Sequence, residues 1–443
     1  MLKSEFLSKL PTPVAIVGMA KTGSSVLALL EKSGLPLHEI ATFDDKPGRA
    51  QYSNPEALLQ DIKPKTLIVS PGVPLTKPWI VDFVRNGGFL TSEVEIAFSF
   101  LTTERVIGIT GSIGKSTVTS LLECGLKSFS PRYFVGGNLG TPFADYITNL
   151  QQGHIQRAEW IVLELSSYQL DLFKNLRADF SALTYLTPNH LERYASLNEY
   201  YDSKLSLIKK TTGACILNRN GGDLCSYLSK GSFSTKLIYT DAQDPDLQQY
   251  QLEACQMIGK HAVDNLALAA KVAKAAQWPD SAILAMKQFP GLSHRLENLG
   301  VYKGIRFVND SKATTIESSL QAFHSLYEES QKGNIFFLLG GRDKNLPWEN
   351  LKSLSAYPKS IFVFFGECGQ LAQEKSQLPG ARFAHLQEAL QHCHCSASAG
   401  DTVLLSPGGT SLDEFKSFED RGDYFKKEVL KLWSTATQQG SRG

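Results

Sequence analysis

The chain has 443 residues with a net charge of +1 at pH 7, and 42% of its residues are hydrophobic while 20% are charged. Its length suggests about three domains, each large enough to bury a core. Because Lys and Arg are scattered and no apolar stretch reaches the ~18 residues that a membrane span needs, we expect small-molecule substrates, no nucleic-acid partner and no membrane insertion.

The cysteines and the first residues indicate the compartment. The chain contains seven cysteines, an odd number that fits reduced thiols better than a disulfide framework. Residues 1–13 lack the basic start and the long apolar region of a secretory signal, so we expect a cytoplasmic protein. His392-Cys393-His394-Cys395 could bind a soft metal, but this spacing matches no tetrahedral zinc pattern, and we assign no metal there.

The first segment, residues 1 to about 100, alternates predicted strands with predicted helices. Apolar runs predict strands at 14–18, 39–43 and 66–70, and a helical pattern covers 26–31. This alternation predicts a parallel, doubly wound sheet, which binds ligands at the carboxyl ends of its strands.

The turn after the first strand argues against one class of ligand. It reads Gly18-Met19-Ala20-Lys21-Thr22-Gly23 and lacks the middle glycine of G-x-G-x-x-G, which lets a backbone approach a dinucleotide pyrophosphate. We therefore expect no nicotinamide cofactor, whereas a phosphorylated ligand such as a UDP-sugar stays open. Asp44 or Asp45, at the end of the next strand, could accept hydrogen bonds from its hydroxyl groups or base, or could only open a surface turn.

The middle segment, from about 101 to 292, contains a glycine-rich loop, Gly111-Ser112-Ile113-Gly114-Lys115-Ser116-Thr117. It follows the apolar run 106–109 and precedes a helical pattern at 116–127, so backbone N–H groups and a positive helix end can bind a nucleotide phosphate. In the general phosphate loop, the lysine reaches the terminal phosphates and the Ser or Thr hydroxyl holds Mg²⁺. The strict template is not met, because Ile109 stands where its first glycine belongs, and a plain Gly/Ser turn is the alternative.

Further candidates of the middle segment follow predicted elements. The apolar strand 160–164 ends in Glu164, and a buried carboxylate beside a phosphate loop suggests a Mg²⁺ ligand. A strand at 180–186 leads to His190, which could orient metal-bound water, contact a phosphate or cap a helix at 191–194. Lys204 lies in an amphipathic helix, and its sequence context alone indicates only a solvated lysine.

The last segment, from about 293 to 443, again has a parallel-sheet pattern. Apolar strands at 334–339, 361–365 and 402–405 run into glycine or small residues, which predicts functional loops at one edge. Arg295 and residues 309–314 are dense in polar groups between apolar flanks, as at a site near a domain junction.

Ordered motifs recur along essentially the whole chain. They are 111–117, 136–140, 164–170, His190 with Arg193 and Tyr194, 293–297, 309–314, 405–407 and 411–418. In this order they resemble the motifs of the Mur ligases, ATP-dependent amide-forming enzymes that build the peptide of bacterial cell walls. The last motif is similar to that of the D-glutamate-adding branch in particular.

The resemblance implies an α/β fold with three domains. An N-terminal Rossmann-like parallel sheet at 1–100 would bind the UDP-muramoyl substrate. A central P-loop mononucleotide-binding α/β domain at 101–292 would bind ATP, and a C-terminal Rossmann-like α/β domain at 293–443 would bind the amino acid.

The resemblance also implies roles for individual residues. The ATP-binding set is Gly111, Ser112, Ile113, Gly114, Lys115, Ser116, Thr117, Asn265, Arg295 and Asp310. The ligands of two Mg²⁺ ions are Ser116, Glu164, His190 and Lys204, and the catalytic set is Lys115, His190, Lys204 and Lys312. The UDP-muramoyl contacts are Thr22, Asp44, Gly72 and Asn138, and the contacts to incoming glutamate are Thr314, Lys344, Ser411 and Phe418.

Three positions need comment against the family pattern. By resemblance, Lys204 is carbamylated by CO₂, which turns a cation into a carboxylate-like metal ligand. Ile113 replaces the usual Asn of the loop, but this change removes no backbone N–H donor. Ala262 replaces an Asn after His261, which leaves Asn265 to carry that adenine contact.

We therefore expect a monomeric, ATP-dependent ligase that adds D-glutamate to UDP-N-acetylmuramoyl-L-alanine through an acyl phosphate, in peptidoglycan precursor synthesis. One alternative is a related Mur or folate ligase with a different amino acid. The other is a non-catalytic nucleotide-binding regulator, which would have no need of Lys204 or of the glutamate contact Lys344.

Overall fold

The computed structural model describes residues 4–138, 140–188, 194–229, 231–329 and 333–433. The chain forms two compact units. The first comprises Met1–Glu253 with Asp264–Lys287, and the second comprises Ala254–Val263 with Gln288–Gly443.

The first unit begins with a four-stranded parallel sheet of order β2-β1-β3-β4. Its strands are β1 (Val14–Val17), β2 (Ile40–Phe43), β3 (Thr66–Val69) and β4 (Phe89–Thr91). The helices around it are α1 (Glu5–Ser8), α2 (Lys21–Lys32), α3 (Pro55–Asp61), α4 (Pro78–Arg85) and α5 (Glu93–Phe98), with a 3₁₀ turn at Leu37–Glu39. Strands β1, β2 and β3 are buried at every residue, as expected for a parallel sheet covered on both faces.

The first unit continues with a six-stranded parallel sheet of order β10-β9-β8-β5-β7-β6. Its strands are β5 (Arg105–Thr110), β6 (Tyr133–Gly137), β7 (Trp160–Glu164), β8 (Ala178–Leu183), β9 (Thr211–Asn218) and β10 (Lys236–Thr240). The helices are α6 (Lys115–Lys127), α7 (Phe143–Gln151), α8 (Ser167–Leu172), α9 (Leu197–Lys209), α10 (Leu224–Leu228), α11 (Lys260–Ala275, of which the first turn belongs to the second unit) and α12 (Asp280–Lys287), with 3₁₀ turns at Pro245–Tyr250 and Leu252–Ala254. Because β5 lies between β7 and β8, the segments that follow these three strands meet at one edge.

Buried polar contacts join the two sheets of the first unit. The Glu93 carboxylate of α5 accepts a hydrogen bond from Ala144 N, in the first turn of α7. Glu95 of the same helix accepts hydrogen bonds from the backbone and the side chain of Asn175. These carboxyl groups are 2% and 3% exposed, and Glu93 Oε2 has no hydrogen-bond partner among the described residues, so for Glu93 the hydrogen bonds compensate only in part for the loss of water.

The second unit contains a six-stranded sheet of order β11-β12-β16-β13-β14-β15. Its strands are β11 (Glu297–Tyr302), β12 (Ile305–Asn309), β13 (Ile335–Gly340), β14 (Ser360–Phe365), β15 (Gly380–Phe383) and β16 (Thr402–Gly408). Its helices are α13 (Ile316–Glu329), α14 (Gly369–Ser376), α15 (Leu386–Ser396) and α16 (Phe418–Trp433), with a 3₁₀ segment at Trp348–Ala356.

The structure confirms the predicted α/β class and differs from the sequence pattern at one edge. Strand β11 pairs antiparallel with β12, whereas the other pairs of this sheet are parallel. Lys303 and Gly304, between the two strands, have φ angles of +51° and +78°, which suit a tight hairpin turn. The boundaries of the three predicted domains stay a prediction, and the helix predicted at 191–194 falls largely outside the described residues.

Candidate active site

The glycine-rich loop lies between β5 and α6, where the sequence predicts a phosphate cradle. Gly111 and Gly114 have φ angles of +147° and +90°, which residues with a Cβ rarely adopt. A Cβ on Gly111 would lie 2.0 Å from Thr184 Oγ1, and one on Gly114 would lie 2.7 Å from Asn265 Oδ1. The loop therefore needs both glycines, and the predicted nucleotide contact Asn265 packs directly on it.

The segment after β8 holds the loop from one side. Ser112 N donates a hydrogen bond to Tyr185 O at 2.6 Å, and Ser112 Oγ donates to Thr187 O at 3.0 Å. The hydroxyl of Tyr200 donates to Ser112 Oγ at 3.0 Å. Ile113 is 43% exposed, so its apolar side chain lies at the surface of the loop.

Two lysines meet at one carbonyl oxygen of the loop. Lys115 Nζ donates hydrogen bonds to Gly111 O at 2.9 Å and to Ser112 O at 3.2 Å. Lys204 Nζ, from α9, donates to the same Gly111 O at 2.9 Å and lies 4.6 Å from the ring centre of Tyr200. Burial, and secondly the charge of Lys115, lower the pKa of Lys204 to about 6. Lys204 is thus a buried amine beside the phosphate loop, in contrast to the solvated lysine that its sequence context indicated.

Glu164 provides an unsatisfied carboxylate oxygen in the same region. It ends β7, is 2% exposed and accepts a hydrogen bond from Asn138 Nδ2 at 2.7 Å through Oε1. Its Oε2 atom is buried and has no hydrogen-bond partner among the described residues. A buried carboxylate oxygen without a partner is costly, and a hard cation beside phosphates would satisfy it.

Glu164 and the loop hydroxyls offer the kind of oxygen ligand that Mg²⁺ prefers. Ser116 and Thr117 lie in the first turn of α6, where a hydroxyl can serve a nucleotide-bound cation. Within the described ranges, no group of three His, Cys, Asp or Glu side chains could hold a metal ion. The predicted ligand His190 lies outside the described residues.

The His392 to Cys395 segment forms part of α15, and its side chains pack against different neighbours. His392 lies 5.2 Å from the ring centre of Phe383, and His394 lies 4.8 Å from that of Trp433. Cys393 is completely buried, whereas Cys395 is exposed.

The three predicted substrate residues of the first sheet lie at its carboxyl edge. Asp44 follows β2 and accepts hydrogen bonds from Lys46 N at 2.9 Å and Met19 N at 2.8 Å, which lower the pKa of its carboxyl group. Thr22 lies in the first turn of α2, and Gly72 is exposed in the turn after β3. Through Met19 N, Asp44 thus also fixes the turn that follows β1. An aspartate that only opened a surface turn after β2 would not make this contact.

In the second unit, Asp310 follows β12 and is 8% exposed. Burial raises the pKa of Asp310 to about 7, although Ser406 Oγ donates to it at 2.6 Å and Leu296 N at 3.1 Å. Arg295 and Lys312 are exposed, and Lys312 Nζ lies 4.5 Å from the ring centre of Phe418.

The predicted glutamate contacts come from three loops and one helix. Thr314 follows β12, Lys344 follows β13, Ser411 follows β16, and Phe418 begins α16. Arg342 N donates to Thr410 O at 2.8 Å, which joins the loops that carry Lys344 and Ser411. All four residues therefore belong to the carboxyl-edge loops of one sheet or to the helix that follows them.

Arg421 is a residue that the sequence reasoning missed. It is fully buried and donates to Ser311 Oγ at 3.0 Å, to Ser311 O at 2.8 Å and to Gly409 O at 3.2 Å. A Cβ on Gly341 would lie 2.9 Å from its Nη1 atom. Arg421 therefore connects the three carboxyl-edge loops. An arginine on the apolar face of α16, between Phe418 and Phe425, was the signal that could have revealed it.

Known proteins with similar sequences identify the family of the chain. A model of the Mur ligase middle domain matches residues 109–253. The UDP-N-acetylmuramoylalanine–D-glutamate ligase of Myxococcus xanthus is 31% identical over 465 aligned positions, covering 95% of this chain and 98% of that protein. A ligase of the same name from Pasteurella multocida is 32% identical over 438 positions, covering 94% and 97%. The chain belongs to the Mur ligase family. This membership confirms the resemblance that the motifs indicated and the predicted class of ATP-dependent ligase. Enzymes of this family use ATP and Mg²⁺.

Two solved structures share the fold. The UDP-N-acetylmuramate–alanine ligase of Thermotoga maritima superposes with a TM-score of 0.54 at 16% identity, covering 95% of this chain and 99% of that one. A pseudomurein peptide ligase type C from Methanothermus fervidus gives a TM-score of 0.53 at 14% identity, covering 94% and 99%. Within the described ranges, none of the helices combines the length and the apolar character that crossing a bilayer requires.

Proposed function

We propose that the protein joins D-glutamate to UDP-N-acetylmuramoyl-L-alanine at the expense of ATP, in the synthesis of peptidoglycan precursors. The observation that carries this proposal is the convergence of the phosphate loop, Lys204 and the unpartnered Glu164 oxygen at one edge of the middle sheet. The two relatives compared above, which bear this activity in their names, support the choice of substrates.

The first step would make the alanine carboxylate reactive. One carboxylate oxygen attacks the γ-phosphorus of ATP, the bond from that phosphorus to the bridging oxygen breaks, and ADP leaves. The loop N–H groups and Lys115 stabilise the negative charge that spreads over the transferred phosphoryl group. Glu164, Ser116, His190 and a modified Lys204 would hold Mg²⁺, which supplies charge neutralisation at the phosphate oxygens.

The modification of Lys204 would be a carbamate. An N–C bond forms between the neutral amine and CO₂, and one proton is released, so that a cation becomes an anion. The burial of Lys204 supports this proposal, because a buried amine with a pKa of about 6 is mostly neutral at pH 7. The carbamate would serve the second of the two Mg²⁺ sites beside Glu164.

The second step would form the amide. The amino group of D-glutamate attacks the acyl carbon, and the tetrahedral intermediate collapses as the C–O bond to phosphate breaks. The amine loses a proton, and inorganic phosphate leaves. Lys312 would lie near the reacting phosphate. Lys344, Thr314 and Ser411 would bind the side-chain carboxylate of glutamate with one charge and two hydroxyl groups, and Phe418 would form an apolar wall.

The remaining contacts follow from the same assignment. Asn265, Arg295 and Asp310 would contact the nucleotide. Thr22, Asp44, Gly72 and Asn138 would contact the UDP-muramoyl substrate. ATP and UDP-linked precursors are cytoplasmic metabolites, so we place the reaction in the cytoplasm, and we propose that the enzyme acts as a monomer.

Phosphate release tests the function directly. Purified protein is incubated with ATP, Mg²⁺ and UDP-N-acetylmuramoyl-L-alanine, and the amino acid is D-glutamate, L-alanine or a diamino acid in turn. We expect release with D-glutamate and the matching dipeptide product by mass spectrometry. Release with another amino acid would indicate a different Mur ligase, and nucleotide binding without amino-acid-dependent release would indicate a regulator.

A further inference from the structure

The turn that carries Lys344 is organised around the carboxylate of Asp343. Asp343 Oδ2 accepts a hydrogen bond from Asn345 N at 2.9 Å, and Asp343 Oδ1 accepts one from Leu346 N at 3.1 Å. The indole of Trp348 donates a third hydrogen bond, from Nε1 to Asp343 Oδ1, at 2.8 Å. One carboxylate therefore binds the chain on the far side of Lys344 and a side chain from the following 3₁₀ segment.

Trp348 makes this arrangement rigid. Its side chain is completely buried in the core of the second unit, so the indole N–H is a fixed donor beneath the turn. Asn345 has a φ angle of +61°, a left-handed conformation that reverses the chain directly after Lys344. Partial burial acts to raise the pKa of Asp343, but the indole and backbone N–H groups together lower it, so the carboxylate stays ionised.

Lys344 itself is left available. Its side chain is exposed, and no hydrogen-bond or ion-pair partner of its ammonium occurs in the part of the chain that the structure describes. The neighbouring cation is different, because Arg342 Nε donates to Glu367 Oε2 at 2.8 Å. In this turn Lys344 is therefore the cation whose ammonium can donate hydrogen bonds to an incoming carboxylate.

A lysine side chain loses considerable rotamer freedom when it binds a ligand. If the backbone that carries it is already fixed, the total conformational entropy lost on binding is smaller. We infer that Asp343 is a positioning residue, which acts through Lys344 to set the affinity for the side-chain carboxylate of D-glutamate. This inference rests on the proposed function, since Lys344 is its proposed contact with glutamate.

A double-mutant cycle tests this inference. KM and kcat for D-glutamate and KM for ATP are measured for the wild type, Asp343→Asn, Lys344→Met and the double variant. Asparagine has one acceptor oxygen instead of two, so it cannot retain all three hydrogen bonds of Asp343. We expect Asp343→Asn to raise the KM for D-glutamate by about tenfold with little change in the KM for ATP, and by less than about twofold when Lys344 is already Met.

Two further variants separate positioning from folding. Trp348→Phe removes the indole donor but keeps an aromatic ring in the core, and it should raise the KM for D-glutamate in the same way, again only while Lys344 is present. Glu349→Gln changes an exposed carboxylate of the next segment and is the matched control, with no expected effect. Thermal melting of each variant verifies that the unit is folded.

The possible outcomes separate a failure of the positioning role of Asp343 from a failure of the proposed function. Equal effects of Asp343→Asn with and without Lys344, or a parallel rise in the KM for ATP, would overturn the positioning role alone. The same holds if Lys344→Met raises the KM for D-glutamate but Asp343→Asn does not. If Lys344→Met leaves that KM unchanged, the proposed glutamate pocket fails and the inference fails with it.

Discussion

The buried carboxylate of Glu93 should make the stability of the first unit depend on pH. Burial raises the pKa of Glu93 to about 7, with a smaller contribution from the charge of Asp145, against an ordinary value of 4.5. Between these two values the folded state keeps a proton that the unfolded state releases. The free energy of unfolding therefore falls as pH rises through this window.

The size of the effect follows from the shift. A displacement of about 2.5 pKa units, at about 1.4 kcal/mol per unit, corresponds to about 3 kcal/mol of stability lost between about pH 4.5 and pH 7. Glu93→Gln keeps an oxygen that can accept from Ala144 N but cannot ionise. We expect the variant to gain about 3 kcal/mol relative to the wild type as pH rises through this window.

Urea denaturation of both proteins at several pH values between about 5 and 8 measures this difference, with intrinsic tryptophan fluorescence as the signal. Subtracting the two curves removes the titration of all other groups. Glu56→Gln, which replaces an exposed carboxylate of α3, is the matched control. A difference between wild type and Glu93→Gln that stays flat within about 1 kcal/mol, or that changes in the opposite direction, would refute the reasoning.

Three further predictions concern the proposed site. Lys115→Ala should abolish ligation, at a cost of several kcal/mol in the transition state, and near wild-type turnover at saturating ATP would contradict the phosphate cradle. Lys204→Ala should also lose activity and regain part of it with short carboxylic acids, while intact-mass measurements with ¹³C-bicarbonate should detect the carbamate in the wild type. No rescue and no added mass would count against the carbamate. Arg421→Met should destabilise the second unit by about 3 kcal/mol, because Ser311 O and Gly409 O lose a buried charged donor. Arg421→Lys should recover part of this loss in chemical denaturation, and equal stability of all three proteins would contradict the assignment.

The sequence predicted those strands that are buried on both faces and therefore consist of consecutive apolar residues. The strand Trp160–Glu164 has the predicted bounds, since all five of its residues are buried and the first four give a continuous apolar run before the carboxylate. Strand β11 was not predicted, because its residues are mostly partly exposed and its pairing depends on the turn at Lys303. Edge strands of this kind lack a strong periodic signal.

Some residues of the candidate site could be predicted from local motifs, and others could not. Loop residues such as Lys115 follow from a local motif, but the approach of Lys204 to Gly111 O links positions 93 residues apart. Arg421 depends on a contact with Ser311, 110 residues away, and no local pattern contains that information. Single-sequence reasoning therefore finds motifs, whereas the side chains that hold the motifs together emerge only from tertiary contacts.

Arg421 also affects how this enzyme could be altered. Loops at the carboxyl edge of an α/β sheet are where new specificities usually arise, because each loop can change while the scaffold stays constant. Here one guanidinium hydrogen-bonds two of these loops through backbone carbonyls and packs against the third at Gly341. Under the proposed assignment of Thr314, Lys344 and Ser411 to the glutamate site, redesign of the amino-acid preference would therefore have to exchange the three loops together with the helix that carries Arg421.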